Sequence, residues 1–132
     1  MTAPKHRKKT ARSSKLVVVI DDDHLVLEAT EILLRSWGCR VVVAKSCIEA
    51  MKKLFDLGER PDLIVCDYRL PHGRNGIDAI EALRDAFEIP ALLVSADTNS
   101  PRRNLGRSGY SLLQKPVDAE KFRAALIKAA VL

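Results

Sequence analysis

The chain has 132 residues, of which 47% are hydrophobic, and this size and composition predict one compact domain with its own core. No apolar run approaches the roughly 18 residues that a membrane-spanning helix needs, and the basic N-terminus lacks the apolar stretch of a secretory signal. We therefore expect a soluble, cytoplasmic protein without membrane insertion. The three cysteines, Cys39, Cys47 and Cys66, have no paired or metal-binding spacing, which argues against a disulfide framework and a zinc site.

The net charge of +5 is concentrated at the N-terminus. Residues 1–15 contain six basic residues and no acidic residue, whereas the remainder carries a net charge of −1. Residues 1–14 show no hydrophobic periodicity, so we predict a disordered basic tail or linker there and a folded domain over residues 15–132. No aromatic residues are interleaved with the basic ones and no recognition helix accompanies them, so direct nucleic-acid binding is not expected.

From Leu16 onward, short branched-apolar runs alternate with longer segments of helical periodicity. This is the pattern of repeated βα units around a parallel sheet. The predicted strands are Leu16–Ile20, Arg40–Ala44, Leu63–Cys66, Ala91–Val94 and Ser111–Leu113. The first, third and fourth are nearly continuous apolar runs, which is typical of strands that are buried on both faces.

Helical spacing fills the first two connections between strands. The first helix is predicted over His24–Trp37, with Gly38 as its C-terminal stop. Helical spacing is expected to bring five of its residues near one another: Leu25, Glu28, Ile32, Leu33 and Leu34. The second helix is predicted to begin after Ser46, an N-cap candidate, and to end near Leu57, before Gly58.

The third connection and the C-terminus also predict helices. The third helix ends before Pro90, and its expected apolar side comprises Ile77, Ile80, Ala82 and Leu83. The last helix starts near Asp118, and its expected inward residues are Phe122, Ala125, Leu126 and Ala129. Pro101, Gly106 and Gly109 interrupt the segment between the fourth and fifth strands, so any helix there should be short or frayed.

Five strands with intervening helices predict an α/β fold of the flavodoxin-like class. Its centre is a doubly wound, five-stranded parallel sheet in the order 2-1-3-4-5, with helices on both faces. Ligand chemistry in such folds lies at the carboxyl ends of the strands.

Polar residues whose side chains can bind a metal or take part in a reaction follow the predicted strands. They are Asp21, Asp22 and Asp23 after the first strand, Asp67 after the third, Ser95 after the fourth, and Lys115 and Pro116 after the fifth. All of them should converge on one edge of the sheet. Carboxylates so close together repel one another unless a cation neutralises them, and Mg²⁺ prefers such hard oxygen ligands.

Asp67 is the most informative of these residues, because it ends an apolar run and is placed to present a carboxylate to a metal. A carboxylate is also a nucleophile toward phosphorus and yields an acyl phosphate. Lys115 offers a compact positive charge for a phosphoryl oxygen, and Ser95 offers a hydroxyl donor. A cis bond between Lys115 and Pro116 would aim the lysine inward.

These residues stand in the stretches VVVIDDD, LIVCDYRLP, LLVSAD and LLQKPVD. From residue 15 to the C-terminus the sequence resembles the receiver domain of bacterial response regulators in two-component systems. DYRLP, GIDAIEALR and LLQKPVD are especially similar to receivers attached to hybrid sensor histidine kinases. We therefore expect either a fragment of a hybrid kinase or a complete single-domain regulator.

The resemblance implies a phosphorelay function. A histidine kinase or histidine phosphotransfer protein would donate a phosphoryl group to Asp67, and Ser95 and Lys115 would contact it. Mg²⁺, or Mn²⁺ in its place, would be held by Asp21, Asp22, Asp67 and the backbone carbonyl of Arg69. The chain would not be an enzyme in its own right, beyond catalysing its own phosphorylation and dephosphorylation.

The resemblance also implies a switch. Movement of Ser95 would rearrange the fourth helix, the fourth and fifth strands and the fifth helix. The face from the fourth to the fifth helix is also the expected place for a homodimer contact, if the chain dimerises. Receivers often carry an aromatic residue three positions before the lysine, where this chain has Leu112. Arg69 and Asp97 occupy positions that flank the path of attacking water. They are expected either to pair and slow hydrolysis or to be two unrelated exposed charges.

Two alternatives concern the same residues. A phosphatase of the haloacid-dehalogenase type would need a second acid two residues after its nucleophile, where Arg69 stands. A pseudo-receiver that is never phosphorylated and acts only as an interaction module is the other alternative. Such domains usually lack part of the acidic pair, the acceptor or the lysine, and this chain retains all of them.

Overall fold

A five-stranded parallel sheet in the order β2-β1-β3-β4-β5 forms the centre of the fold. The computed structural model describes residues 14–70, 75–97 and 111–132. Its strands are β1 (Leu16–Ile20), β2 (Arg40–Ala44), β3 (Leu63–Asp67), β4 (Ala91–Ser95) and β5 (Ser111–Gln114). The predicted fold class and strand order are confirmed. The last three strands each extend one residue beyond the prediction, so Asp67 and Ser95 are the final residues of their strands.

The helices of the described residues are α1 (His24–Ser36), α2 (Cys47–Leu57), α3 (Gly76–Ala86) and α4 (Ala119–Lys128). Each begins at a side chain that accepts hydrogen bonds from the first turn, and these N-caps are Asp23, Ser46, Asn75 and Asp118. Gly58 follows α2 with a φ of 72°, a left-handed conformation that glycine adopts without strain. Residues 1–13 of the predicted tail and the predicted weak helix before β5 lie outside the described residues.

None of the helices in the described ranges is long and apolar enough to cross a membrane.

Two hydrophobic cores lie on opposite faces of the sheet, because successive side chains of a strand point to opposite sides. On one face α2 and α3 bury Leu54, Ile80 and Leu83 against alternate strand residues such as Val18 and Leu93. On the other face α1 and α4 cover the remaining strand residues with Leu27, Leu34, Phe122 and Leu126. The expectation of helices on both faces is therefore confirmed.

The buried sides of α1 and α3 do not coincide with the residue groups predicted for them. Leu25 and Ile32 are 72% and 66% exposed, whereas Leu27 and Leu34 are buried. The difference is geometric, because two residues along a helix are about 200° apart around its axis. Ala82, predicted to face inward, is also exposed and lies beside the buried side of α3.

The edge strand β2 has a distinct pattern of hydrogen bonds. Its alternate residues bond to β1, as in the bond from Arg40 N to Lys15 O of 2.8 Å. The carbonyl of Val41 accepts a hydrogen bond from Arg35 of α1, at 3.3 Å, and that of Val43 accepts one from Lys53 of α2, at 2.7 Å. Side chains from the helices on both faces thus reach the outer edge of this strand.

Candidate functional site

The carboxyl ends of four neighbouring strands bring together the residues predicted to carry chemistry. Asp21 follows β1, Asp67 ends β3, Ser95 ends β4 and Lys115 follows β5. These strands are parallel, so their carboxyl ends share one edge of the sheet. A backbone hydrogen bond from Lys115 N to Ser95 O, of 2.8 Å, fixes the lysine backbone beside β4.

Three carboxylates form an acidic cluster at this edge. One oxygen each from Asp21, Asp22 and Asp67 lies within 4.8 Å of the others. Asp21 and Asp67 are only 4% and 9% exposed, whereas Asp22 is open to solvent. A cluster of carboxylate oxygens that is open to solvent on one side fits Mg²⁺. This ion takes few protein ligands and keeps coordination positions for water and phosphate oxygens.

Lys115 connects the two buried carboxylates of this cluster. Its Nζ lies 3.2 Å from Asp21 Oδ2 and 3.4 Å from Asp67 Oδ2. Burial lowers the pKa of Lys115, but the attraction of the two carboxylates outweighs it, so the net pKa is raised. The pKa of Asp67 is also raised, first by burial and then by repulsion from Asp21, and Lys115 offsets only part of this. The site thus holds a desolvated carboxylate beside a positive charge.

The three consecutive aspartates after β1 have different surroundings. Asp21 is buried and its Oδ1 accepts a hydrogen bond from Asp23 N at 2.9 Å. Asp23 caps α1 by accepting from Leu25 N, also at 2.9 Å. Asp22 is exposed between them and completes the acidic cluster. The cap on α1 therefore fixes the loop that presents the first two carboxylates.

Ser95 is held in a tight turn of its own. Its hydroxyl donates to the carbonyl of Asp97 at 2.5 Å and accepts from Asp97 N at 3.2 Å. The side chain of Ser95 is buried at the end of β4, next to the site. Asp97 is partly buried and Arg69 is exposed.

Two further predicted positions lie on or after β5. The Lys115–Pro116 peptide bond is cis. Leu112 is partly buried and packs against the core on the α2 and α3 side of the sheet.

Sequence reasoning missed a close approach between α3 and the acceptor strand. Gly76 is buried against the backbone of Asp67, and its N–H donates to Tyr68 O at 2.6 Å. The only sequence signal for it is a glycine directly after an N-cap residue, which is not specific. The sequence also left unrecognised an apolar cavity of about 530 Å³ beside the site, between the sheet, α1 and the loop of Pro116.

Comparisons with known proteins identify the family of this chain. The family model for the response regulator receiver domain matches residues 17–127. The putative two-component response regulator ARR21 of Arabidopsis thaliana is 30% identical over 102 residues, which cover 76% of this chain and 16% of ARR21. The two-component response regulator ARR6 of Arabidopsis thaliana is 31% identical over 129 residues, covering 85% of this chain and 69% of ARR6.

The match to solved structures concerns the same domain. The receiver domain of PhyR from Erythrobacter litoralis, solved by NMR, is 28% identical with a TM-score of 0.76 and covers 91% of this chain and 92% of that domain. The chain spans 34% and 26% of the length of two further curated relatives. On the strength of the matched residues and the fold, this chain belongs to the response regulator receiver domain family of two-component signalling.

Proposed function

We propose that the chain accepts a phosphoryl group on Asp67 from a phosphohistidine, assisted by Mg²⁺. One observation carries the proposal: the Nζ of Lys115 lies between Asp21 and Asp67, at 3.2 Å and 3.4 Å, beside a cluster of three carboxylates. A nucleophilic carboxylate, a fixed cation and a set of hard oxygen ligands are the parts that phosphoryl transfer requires. All of them meet at one edge of the sheet.

The residues divide the reaction between them. A carboxylate oxygen of Asp67 attacks phosphorus in line, so that the new O–P bond forms as the N–P bond of the donor histidine breaks. The leaving imidazole keeps the bonding electron pair and takes up a proton from solvent. Lys115 stabilises the charge on the phosphoryl oxygens. Mg²⁺, held by Asp21, Asp22, Asp67 and the backbone carbonyl of Arg69, would neutralise the remaining negative charge.

Ser95 is the proposed switch. Its hydroxyl now donates to the Asp97 carbonyl, and a phosphoryl group on Asp67 would offer a more strongly charged acceptor. Rotation of Ser95 toward that group would release the turn at Asp97 and alter the face around β5. On β5, Leu112 occupies the position where receivers often carry an aromatic ring, and it packs against the core covered by α2 and α3. We therefore propose that the conformational change passes through the backbone of the Ser95–Asp97 turn.

The proposed partner is a histidine kinase or a histidine phosphotransfer protein. Leu25, in the first turn of α1 and three residues after Asp22 of the acidic cluster, is 72% exposed, and exposed apolar side chains of this kind suit a protein surface. We propose that it contacts the donor protein. A Leu25→Asp variant should be phosphorylated more slowly by a phosphorylated phosphotransfer domain but at the parent rate by acetyl phosphate. Equal rates with both donors would contradict this contact.

The test of the acceptor is intact mass after incubation with acetyl phosphate and Mg²⁺. The parent should gain one phosphoryl group, Asp67→Asn should gain none, and Asp56→Asn, a matched change at an exposed aspartate of α2, should behave as the parent. A gain in Asp67→Asn would place the chemistry elsewhere. A folded parent that neither acetyl phosphate nor a phosphorylated phosphotransfer domain modifies would count against the proposal and favour the alternative, an interaction module of the pseudo-receiver kind.

A further inference from the structure

The entry of α3 is joined to the segment that follows the phosphoacceptor. Gly76, the first residue of α3, donates its backbone N–H to Tyr68 O at 2.6 Å. The preceding residue, Asn75, pairs with Arg69 in an isolated antiparallel bridge. The side chain of Asn75 also accepts a hydrogen bond from Asp78 N at 3.0 Å, which ties this bridge to the first turn of the helix.

Position 76 has no room for a side chain. An ideal Cβ on Gly76 would overlap the backbone carbonyl oxygen of Asp67, and it would lie 2.9 Å from Leu93 Cδ1. The leucine methyl is the end of a flexible side chain and can rotate away. The carbonyl cannot, because the N–H of the same planar peptide group, that of Tyr68, donates to Val94 O of β4 at 2.8 Å. Even a methyl group would therefore have to displace the end of β3 or the start of α3.

The segment after β3 is also held from the opposite side. Tyr68 N donates to Val94 O of β4 at 2.8 Å, while the carbonyl of the same residue accepts from Gly76. One residue is thus fixed between a strand and a helix entry, directly between the Asp67 carboxylate and the Arg69 carbonyl. Backbone groups held in this way keep their orientation when a ligand arrives.

We propose that Gly76 is a positioning residue for the phosphoacceptor: by letting α3 contact the backbone of β3, it sets the direction of the Asp67 carboxylate and of the Arg69 carbonyl. This inference rests on the proposed function of Asp67. It assigns to Gly76 an effect on metal affinity and phosphoryl transfer that a purely structural glycine would not have. The chain offers a matched control in Gly58, which has a φ of +72° and nothing within 4 Å of an added Cβ.

The experiment compares Gly76→Ala with Gly58→Ala. We measure the Kd for Mg²⁺ by calorimetry, the rate of phosphorylation at saturating Mg²⁺ and acetyl phosphate, and stability by urea unfolding. Gly76→Ala should weaken Mg²⁺ binding by about 10- to 100-fold and slow phosphorylation by a similar factor, as is typical when a group that orients metal ligands is disturbed. Gly58→Ala should lose stability through backbone strain, with both site properties unchanged.

A double variant separates site geometry from packing. Leu93→Val removes the Cδ1 atom that a methyl group at position 76 would meet. The double variant Gly76→Ala/Leu93→Val should therefore lose the overlap with Leu93 that Gly76→Ala has, but it should keep the weak Mg²⁺ binding of Gly76→Ala. The inference is overturned if Gly76→Ala matches Gly58→Ala in Mg²⁺ affinity and phosphorylation rate, or if Leu93→Val restores both. A parent that binds Mg²⁺ but is never phosphorylated would instead count against the proposed function, and the Mg²⁺ affinities would still decide the role of Gly76.

Discussion

Replacing Lys115 by methionine should move stability, metal affinity and phosphoryl transfer in different directions. Methionine keeps the length and most of the apolar stem of the side chain but removes the charge. Asp21 and Asp67 are then left as buried carboxylates without a counter-ion. We expect a less stable metal-free protein, tighter Mg²⁺ binding and slower phosphorylation of Asp67.

The loss of stability can be estimated from the two contacts. At an effective dielectric constant of about 20, ion pairs at 3.2 Å and 3.4 Å are each worth roughly 5 kcal/mol before desolvation. Desolvation cancels much of this, and breaking a buried ion pair typically costs about 3–5 kcal/mol. The Lys115 side chain is 25% exposed, so solvent screening lowers the expected loss in the free energy of unfolding to about 2–3 kcal/mol.

The metal and the reaction should respond oppositely. Without the lysine charge, the cluster attracts a divalent cation more strongly, so the Kd for Mg²⁺ should fall roughly tenfold, which corresponds to about 1.4 kcal/mol. Phosphorylation should slow by about 100-fold, the usual effect of losing one group that stabilises transition-state charge. Urea unfolding in EDTA, followed by the fluorescence of Trp37, calorimetry with Mg²⁺ and intact mass over time measure the three quantities.

Lys121→Met on α4 is the matched control, because Lys121 is exposed and the same substitution there should change stability by less than about 0.5 kcal/mol. Lys115→Met should cost about 1 kcal/mol less when Asp67 is already asparagine, because one of its two ion pairs is then absent. A Lys115→Met variant that is no more destabilised than Lys121→Met, or whose Kd for Mg²⁺ is not lowered, would refute the expected role of the lysine charge.

Three further outcomes are expected. Burial raises the pKa of Asp67 in the folded protein, so its ionised form at pH 7 destabilises the fold. In metal-free buffer, Asp67→Asn should therefore raise the free energy of unfolding at pH 7. This gain should disappear in urea titrations as the pH falls to the ordinary pKa of 3.8 and below, because the parent carboxyl is then protonated in both states. Leu34→Ala should cost about 3 kcal/mol in urea unfolding, and Ile32→Ala on the exposed side of α1 less than about 1, with equal losses contradicting the packing described. Arg69→Ala/Asp97→Ala should shorten the half-life of the phosphoprotein, measured by intact mass after donor removal, if the two side chains shield the acyl phosphate.

The sheet and the position of the site could be predicted because they depend on local signals. Leu63–Asp67 is an uninterrupted apolar run that ends in an acid, and such a run belongs in the middle of a parallel sheet. Once the strands are parallel, their carboxyl ends must meet, so the convergence of Asp67 and Lys115 follows from topology. Ser46 and Gly58 marked the ends of α2 for equally local reasons.

What could not be predicted depends on packing between distant segments. Helical spacing alone did not distinguish Leu25 from Leu27, because α1 carries apolar residues on more than one side and only its docking on the sheet selects the buried side. The sequence held no sign that Ser95 would bond to the backbone of Asp97. Nor did it show that Gly76 lies against the carbonyl of Asp67, since that contact depends on how α3 meets β3.

The hydrogen bonds at the outer side of β2 have a consequence for how the protein behaves at high concentration. An edge strand with free carbonyls is a template on which a strand of another molecule can add, a frequent start of aggregation. Here the outward carbonyls of Val41 and Val43 accept from Arg35 and Lys53. An incoming strand would have to displace both side chains and would meet two positive charges. This edge therefore resists the addition of a strand from another copy of the chain.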